Sequence, residues 1–484
     1  MPAYSPGSTE RLILRSYQER LHQGVRQAFR DGHRRVLMQA PTGSGKTVTF
    51  VHIGALAQQR GHRVLVVVHR RELLDQVVAT FAQFGVGVGV IAHGYPESDP
   101  AAPVKIALID TLKLRVAAGQ HLAAYDLVVV DEAHHATAAK WFATVPKVLK
   151  PNGYILGCSA TPRRLDGAAL SDCYDHLVLG PEYHELYGQG ALVRAVTFAP
   201  KSRLDLSQVA TRGGDYVAEE TAKLMADRSI VGDVVGHYRR LVGRRPAIAY
   251  CCTIEHSKLV AEQFRDAGFN ALHVDGRTND KTRCMAITGL GRGDFDLLTN
   301  VNLFAEGVDV PVLYAVLLLR PTKSLTLYRQ MCGRAVRPAS GKTESVIIDH
   351  AGCSLRLGLY DDPVLWSLSG ARPKDPDEAP VKSCPFCDVV IPLAARQCPA
   401  CGHLLVAEGA ERAAIPRHRQ ETLERLEVGS LQWLATAAYE ALLQWAAGDL
   451  KRLREIQSVR GYAEYWVTAR RQDWLRRSVQ PGQM

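Results

Sequence analysis

The segment Ala40-Pro-Thr42-Gly43-Ser44-Gly45-Lys46-Thr47 carries the residue types and spacing that most directly imply chemistry in this 484-residue chain. Gly43 and Gly45 let the backbone turn tightly, so that the loop's N–H groups and the start of a following helix can face phosphates. Lys46 can then reach the β- and γ-phosphates of a nucleoside triphosphate, and the Thr47 hydroxyl can hold Mg²⁺. A second segment, Val128-Val-Val-Asp131-Glu132-Ala133-His134, ends an apolar run in carboxylates. Asp131 is placed to bind Mg²⁺ directly or through water, and Glu132 to polarise an attacking water. A Gly-rich turn alone is ordinary punctuation, and an acidic strand end alone commonly starts a helix. Together they imply nucleotide hydrolysis. His134 and His135 point apart on a helix, which argues against a shared metal.

Cys384-Pro-Phe-Cys387 and Cys398-Pro-Ala-Cys401 form a second constellation, two Cys-x₂-Cys pairs separated by ten residues. Four thiolates from two short turns can close a tetrahedral Zn²⁺ site with no open position, which lets a small unit fold without a large core. The other seven cysteines, Cys158, Cys251 and Cys252 among them, sit in apolar surroundings and read as packing. Near the C-terminus, residues 451–477 hold eight basic against three acidic side chains, with Tyr462, Tyr465, Trp466 and Trp474 interleaved. Aromatic rings beside Arg and Lys suit base stacking. A helical packing module explains the same residues and is the preferred reading, because Trp and Tyr at helical spacing usually pack.

The elements that must position these groups follow from periodicity. Residues 35–39, 64–69, 104–109, 126–130 and 154–157 read as buried strands, alternating with helical stretches such as 71–84. A second series starts again at 246–252, 271–275, 296–299, 313–319 and 345–348. Each series implies a parallel sheet covered on both faces. The less periodic stretch 181–214 reads as the connection, and the Pro-rich, charged segment 371–380 as a linker. With 46% hydrophobic and 22% charged residues, the chain is neither disordered nor fibrous as a whole. No apolar run approaches the length of a membrane helix, and residues 1–11 lack the layout of a signal peptide. The expected setting is a reducing cytoplasm. A net charge of +10 is compatible with a polyanionic partner but equally with a solvated basic surface.

From about Arg11 to Gly370 the sequence resembles the DEAH-box group of superfamily 2 helicases. Arg15-Ser-Tyr-Gln18 is similar to the family's adenine-recognition motif, Ser159-Ala-Thr161 to its third motif, and Glu306-Gly307-Val-Asp309-Val-Pro311 to its fifth. Gln330-Met-Cys-Gly-Arg334-Ala-Val-Arg337 is similar to its sixth. The resemblance implies that Gln18 reads the base edge, and that Arg15, Gly307 and Asp309 lie at the nucleotide. It also implies that Arg334 and Arg337 meet the γ-phosphate, and that Arg70, Thr111 and Thr299 contact the nucleic-acid backbone. Ser159–Gly167, Ile348-Asp-His-Ala-Gly352 and the cysteine pairs resemble the RadD-type bacterial DNA helicases, a genome-maintenance group. Asn300-Val-Asn-Leu-Phe304, before the fifth motif, departs from the family's wording without removing a reactive group.

The resulting expectation is an α/β protein of two tandem RecA-like parallel-sheet domains. These are residues 1–185, with ATP and the carboxylates, and residues 186–370, followed by a linker at 371–382, a zinc ribbon at 383–404 and a helical tail at 410–484. The expected activity is ATP-dependent movement on or unwinding of DNA, single-stranded or forked, in repair or recombination. A single-strand-binding protein is a possible partner on resemblance alone. An RNA helicase with the same core remains open, because no side chain can be assigned to a 2′-OH contact. A nucleic-acid-binding scaffold with a vestigial ATPase is the remaining alternative, and the complete set of nucleotide motifs weighs against it.

Overall fold

The structure is a computed structural model. It describes residues 13–95, 99, 101–120, 122–134, 143–164, 167–200, 204–226, 233–304 and 310–369, and from the tail 381–383, 390–392, 424–426, 434, 439–447, 449–460, 467 and 471. These residues form two compact units, the first made of the residues up to Glu182 together with 366–369.

The first unit runs α1 (Ser16–Arg30), β1 (Arg35–Gln39), α2 (Lys46–Gln59), β2 (Val64–Val68), α3 (Arg71–Gln83), β3 (Gly89–Ile91), β4 (Val104–Leu108), α4 (Ile109–Ala117), β5 (Tyr125–Asp131), β6 (Leu149–Ser159) and β7 (His176–Val178). Its strands make one sheet in the order β3-β4-β2-β5-β6-β1-β7, with every pairing parallel. Strand β2, Val-Leu-Val-Val-Val, is buried at all five positions. Val64, Val66 and Val68 join one core, which holds Phe50, Val51, Leu74 and Phe81 of α2 and α3. Leu65 and Val67 join the other, with Ile109 and Leu112 of α4. The period of two thus feeds both faces, as a helix-covered parallel sheet requires.

The second unit begins with α5 (Tyr183–Gly188), β8 (Arg194–Ala199), the short pair β9 (Thr211–Arg212) and β10 (Asp215–Tyr216), α6 (Ala218–Ala226) and α7 (Val234–Leu241). It continues through β11 (Ala247–Tyr250), α8 (Ile254–Asp266), β12 (Ala271–Val274), α9 (Asp280–Arg292), β13 (Leu297–Asn300), β14 (Ala315–Leu318), α10 (Leu325–Gly333), β15 (Glu344–Asp349) and α11 (Cys353–Leu357). From the tail come β16 (Val381–Ser383), β17 (Val390–Pro392), β18 (Glu424–Leu426), α12 (Tyr439–Ala446) and α13 (Leu450–Arg460). The sheet order is β12-β13-β11-β14-β15-β8-β18, parallel except for the last pairing.

Three departures from the sequence reading stand out. The stretch read as a connection contributes β8, which pairs with β15 inside the second sheet. Residues 366–369 return to the first unit, where the Leu368 carbonyl accepts from the N–H groups of Leu170 and Ser171. The described part of the tail is not a separate helical piece. Strand β18 pairs with β8, and Leu442, Leu453, Ile456 and Val459 pack on Ala199, Leu355 and Leu359. Arg460, one of the eight basic residues of 451–477, is 9% exposed and donates through Nε to the Leu434 carbonyl. Packing is what the described tail residues display. Tyr462, Tyr465, Trp466 and Trp474 lie outside the described residues. No helix among the described residues is long and apolar enough to cross a membrane.

Candidate nucleotide-hydrolysis site

The phosphate loop lies at the carboxyl end of β1, where ligands of open α/β sheets bind. Gly43 and Gly45 have φ of 85° and 80°, a left-handed conformation that costs glycine little. A Cβ on Gly45 would also lie 2.4 Å from Gln18 Nε2. Ser44 is buried, and its hydroxyl donates to the Pro41 carbonyl at 2.7 Å. Helix α2 starts at Lys46 with no side-chain cap and no acidic residue in its first turn. The positive end of its dipole is therefore uncompensated by side chains of its own first turn, as anion binding requires. Thr42 and Thr47 are half-buried on either side of the loop's tip.

Strand β5 delivers the carboxylates from two strands away, across β6. Lys46 Nζ lies 2.8 Å from Asp131 Oδ1 and 2.6 Å from Glu132 Oε1. Burial alone would lower the Lys46 pKa, but the two carboxylate charges outweigh it and raise it. Burial pushes Asp131 upward, and the adjacent Glu132 charge adds to that push while Lys46 opposes it. One cation shared between two buried carboxylates leaves excess negative charge, which a divalent ion would relieve. Glu132 adopts φ of 50°, a left-handed conformation that side-chain-bearing residues seldom take. Its N–H donates to Asp131 Oδ1 at 3.0 Å. His134 Nδ1 lies 2.8 Å from Ser159 Oγ, which also accepts the Thr161 N–H at 3.1 Å. The carboxylate segment and the end of β6 are thus tied by side chains. These residues fit a Mg²⁺–nucleoside triphosphate. The loop would cradle the phosphates, with Thr47 and Asp131 to hold the ion.

Gln18 reaches the same loop by a different use of its amide. Its Nε2 faces the Ser44 and Gly45 carbonyls at 3.4 and 3.3 Å, and its Oε1 accepts the Arg15 N–H at 2.9 Å. At 5% exposure it buttresses the loop, and the base-edge role implied by the resemblance is not displayed. Arg15 is exposed at the start of α1. Tyr17, which the sequence reading passed over, donates its hydroxyl to the Ser44 carbonyl at 2.9 Å. Its only signal was adjacency to Gln18.

The remaining candidates divide. Arg70 immediately precedes α3 and is half-buried, as is Thr111, whose Oγ1 accepts the His93 N–H at 3.3 Å. Thr299 corrects the sequence reading. It is completely buried, its hydroxyl donates to the Ser257 carbonyl at 2.8 Å, and Ser257 Oγ donates to it at 2.9 Å. Its side chain holds α8 to β13 and offers no surface to a nucleic acid. In the second unit, Arg334 ends α10 at 8% exposure and Arg337 is half-buried three residues on. Both lie near enough to Tyr250 for their charges to work against the rise that burial imposes on its hydroxyl. Gly307 and Asp309, and the four cysteines Cys384, Cys387, Cys398 and Cys401, lie outside the described residues.

Comparison with known proteins gives two family matches. Residues 11–164 match "Type III restriction enzyme, res subunit", and residues 235–339 match "Helicase conserved C-terminal domain". A 51.5 kDa protein of a Lactococcus phage is 32% identical over 377 residues, covering 76% of this chain and 77% of its own. A Saccharomyces cerevisiae protein under the name of an ATP-dependent helicase, IRC3, is 29% identical over 74% of this chain, which spans 54% of that protein's length. Among solved structures, the Type ISP restriction–modification enzyme LlaBIII is similar in fold at a TM-score of 0.52 and 22% identity. That match covers 70% of this chain and 28% of the enzyme. The two parallel-sheet units are RecA-like domains. The chain belongs to the superfamily 2 helicases, enzymes that hydrolyse ATP in dependence on nucleic acid.

Proposed function

We propose that this helicase hydrolyses ATP to move along or unwind DNA. The observation that carries the hydrolytic part is the convergence of Lys46, Asp131 and Glu132 within 2.8 Å at the mouth of the phosphate loop. Lys46 and the loop N–H groups bind the phosphates, Thr47 and Asp131 hold Mg²⁺, and Glu132 accepts a proton from the attacking water. The ion supplies charge neutralisation on the phosphate oxygens. Arg334 and Arg337 add positive charge at the γ-phosphate, while Arg15, Gln18, Gly307 and Asp309 complete nucleotide binding. Arg70 and Thr111 contact the nucleic-acid backbone.

DNA is favoured over RNA by the company the chain keeps. One matched family is named for a restriction enzyme, and the LlaBIII structure is of the enzyme bound to DNA. The finer assignments rest on resemblance. They are a DEAH-box enzyme of the RadD type in a cytoplasmic repair or recombination role, acting on single-stranded or forked DNA with a single-strand-binding protein as partner. The Cys384, Cys387, Cys398 and Cys401 spacing supports one Zn²⁺ per chain.

The test is steady-state ATPase with single-stranded, duplex and forked DNA and with RNA, each at two salt concentrations. Strong stimulation by one DNA form, weakening as salt rises, is the expected result. Stimulation by RNA alone would overturn the DNA reading. Absence of hydrolysis with every polymer would favour the scaffold.

A further inference from the structure

Lys342 sits in the link between α10 and β15, and no motif points to it. Its Nζ donates to four backbone carbonyls, those of Pro311 at 3.0 Å, Leu313 at 2.6 Å, Ala335 at 2.5 Å and Arg337 at 2.7 Å. Two of these belong to the turn entering β14. The other two belong to the segment carrying Arg334 and Arg337. The carbonyl between them, Val336, accepts the Val193 N–H at 2.8 Å. Three consecutive carbonyls following α10 are therefore pinned, two of them by one ammonium. That stretch lies beyond the end of a helix, where carbonyls lack intrahelical donors and the backbone is otherwise free to move.

We propose that Lys342 is a positioning residue for ATP hydrolysis. Its ammonium locks the backbone of Ala335–Arg337 against the Pro311–Leu313 turn, so that the Arg337 guanidinium is held ready for the γ-phosphate. This rests on the reading of Arg337 as a γ-phosphate arginine. The residue type suits the task. Protonated lysine presents three rotatable donors that four converging oxygens can share; burial, with the Arg337 charge, lowers its pKa to about 7, so the measurements below belong beneath that pH. Fixing a charged group in advance lowers the reorganisation needed in the transition state. The benefit therefore falls on turnover more than on nucleotide affinity.

The experiment compares wild type, Lys342→Met, Arg337→Ala and the double variant. For each, kcat and KM for ATP are measured with saturating nucleic acid, alongside thermal melting. Lys342→Met keeps the stem and removes the charge. It should cut kcat about tenfold, with KM for ATP within about twofold, and the cut should vanish in the Arg337→Ala background. An equal cut in both backgrounds, or a normal kcat in Lys342→Met, would overturn the proposal. An independent readout is the ¹⁵N signal of the Nζ group. A four-carbonyl clamp should yield a slowly exchanging ammonium resonance that Lys342→Met removes, and its absence from the wild type would overturn the clamp whatever the kinetics. If the resonance is present but Arg337→Ala turns over normally, the reading of Arg337 fails and Lys342 loses its part in hydrolysis. That failure is distinguishable from failure of the clamp.

Discussion

The two units carry similar sheets, yet they hold their reactive groups by different means. In the first, charge faces charge. Lys46 from the loop after β1 meets Asp131 and Glu132 at the end of β5, so the site is assembled by side chains whose identities are the chemistry. In the second, the arginines follow a helix, and the backbone of their segment is held by hydrogen bonds to its carbonyls. Ala335 and Arg337 are held through their carbonyls by Lys342, and Val336 by the Val193 N–H. A side-chain constellation is visible as a motif. A backbone-held one can be occupied by many sequences, and only the donor's identity matters.

The contrast can be broken by substitution. Removing the shared cation should have the largest effect. Lys46→Ala should abolish ATP turnover while the chain stays folded, and normal turnover in that variant would dismiss the phosphate-loop assignment. Arg337→Ala should slow hydrolysis by about 10³-fold, the scale of a γ-phosphate arginine, with little change in ATP binding. If affinity collapses and turnover at saturation survives, the second unit binds nucleotide and does not assist its hydrolysis.

A third test uses pH to probe the second unit alone. His256 is buried, and burial lowers its pKa from about 6.5 to about 4. Its Nδ1 accepts the Cys252 N–H at 3.4 Å, which requires a neutral ring. The unfolded chain takes up the proton below about pH 6.5 and the folded one only near 4. His256 therefore contributes no penalty above pH 6.5, and a loss of about 3 kcal/mol accumulates as pH falls towards 4. Unfolding free energies of wild type and His256→Gln across that window check it, and parallel curves would refute it. The smallest effect belongs to the first unit. Tyr17→Phe removes the hydroxyl that donates to Ser44 and should cost about 1 kcal/mol, read as a lowered melting temperature and slightly weaker ATP binding. An unchanged protein would mean the loop does not depend on the Tyr17 hydroxyl.

Legibility in the sequence follows the same division. The central strands of both sheets were readable because residues such as Val64–Val68 are apolar without interruption. Strands β3, β7 and β18 were missed, with three residues each and so too few to show a period, and β8 was read as part of a connection. The Lys46, Asp131 and Glu132 cluster was readable because residue type and spacing encode it. Gln18 was found, but its use on the Ser44 and Gly45 carbonyls was not, since an amide has no single preferred partner. Thr299 was misassigned because a strand-end threonine looks the same whether its hydroxyl faces solvent or, as here, Ser257. Lys342 was invisible because all four of its acceptors are carbonyls, which every residue possesses.

Strand β18 has a consequence for how far the chain can be shortened. It covers the outer side of β8, pairing Glu424, Arg425 and Leu426 with Ala199, Phe198 and Thr197. A chain cut between about residue 352 and Glu424 would keep every nucleotide motif and still lose this cover. The N–H and C=O groups of β8 would become an open sheet edge beside the uncovered Leu355 and Leu359, a template for pairing with another copy. The motifs mark where the chemistry ends at about residue 350, but the stretch from Glu424 to Val459 covers a strand edge and an apolar patch that the second sheet would otherwise leave open to pairing.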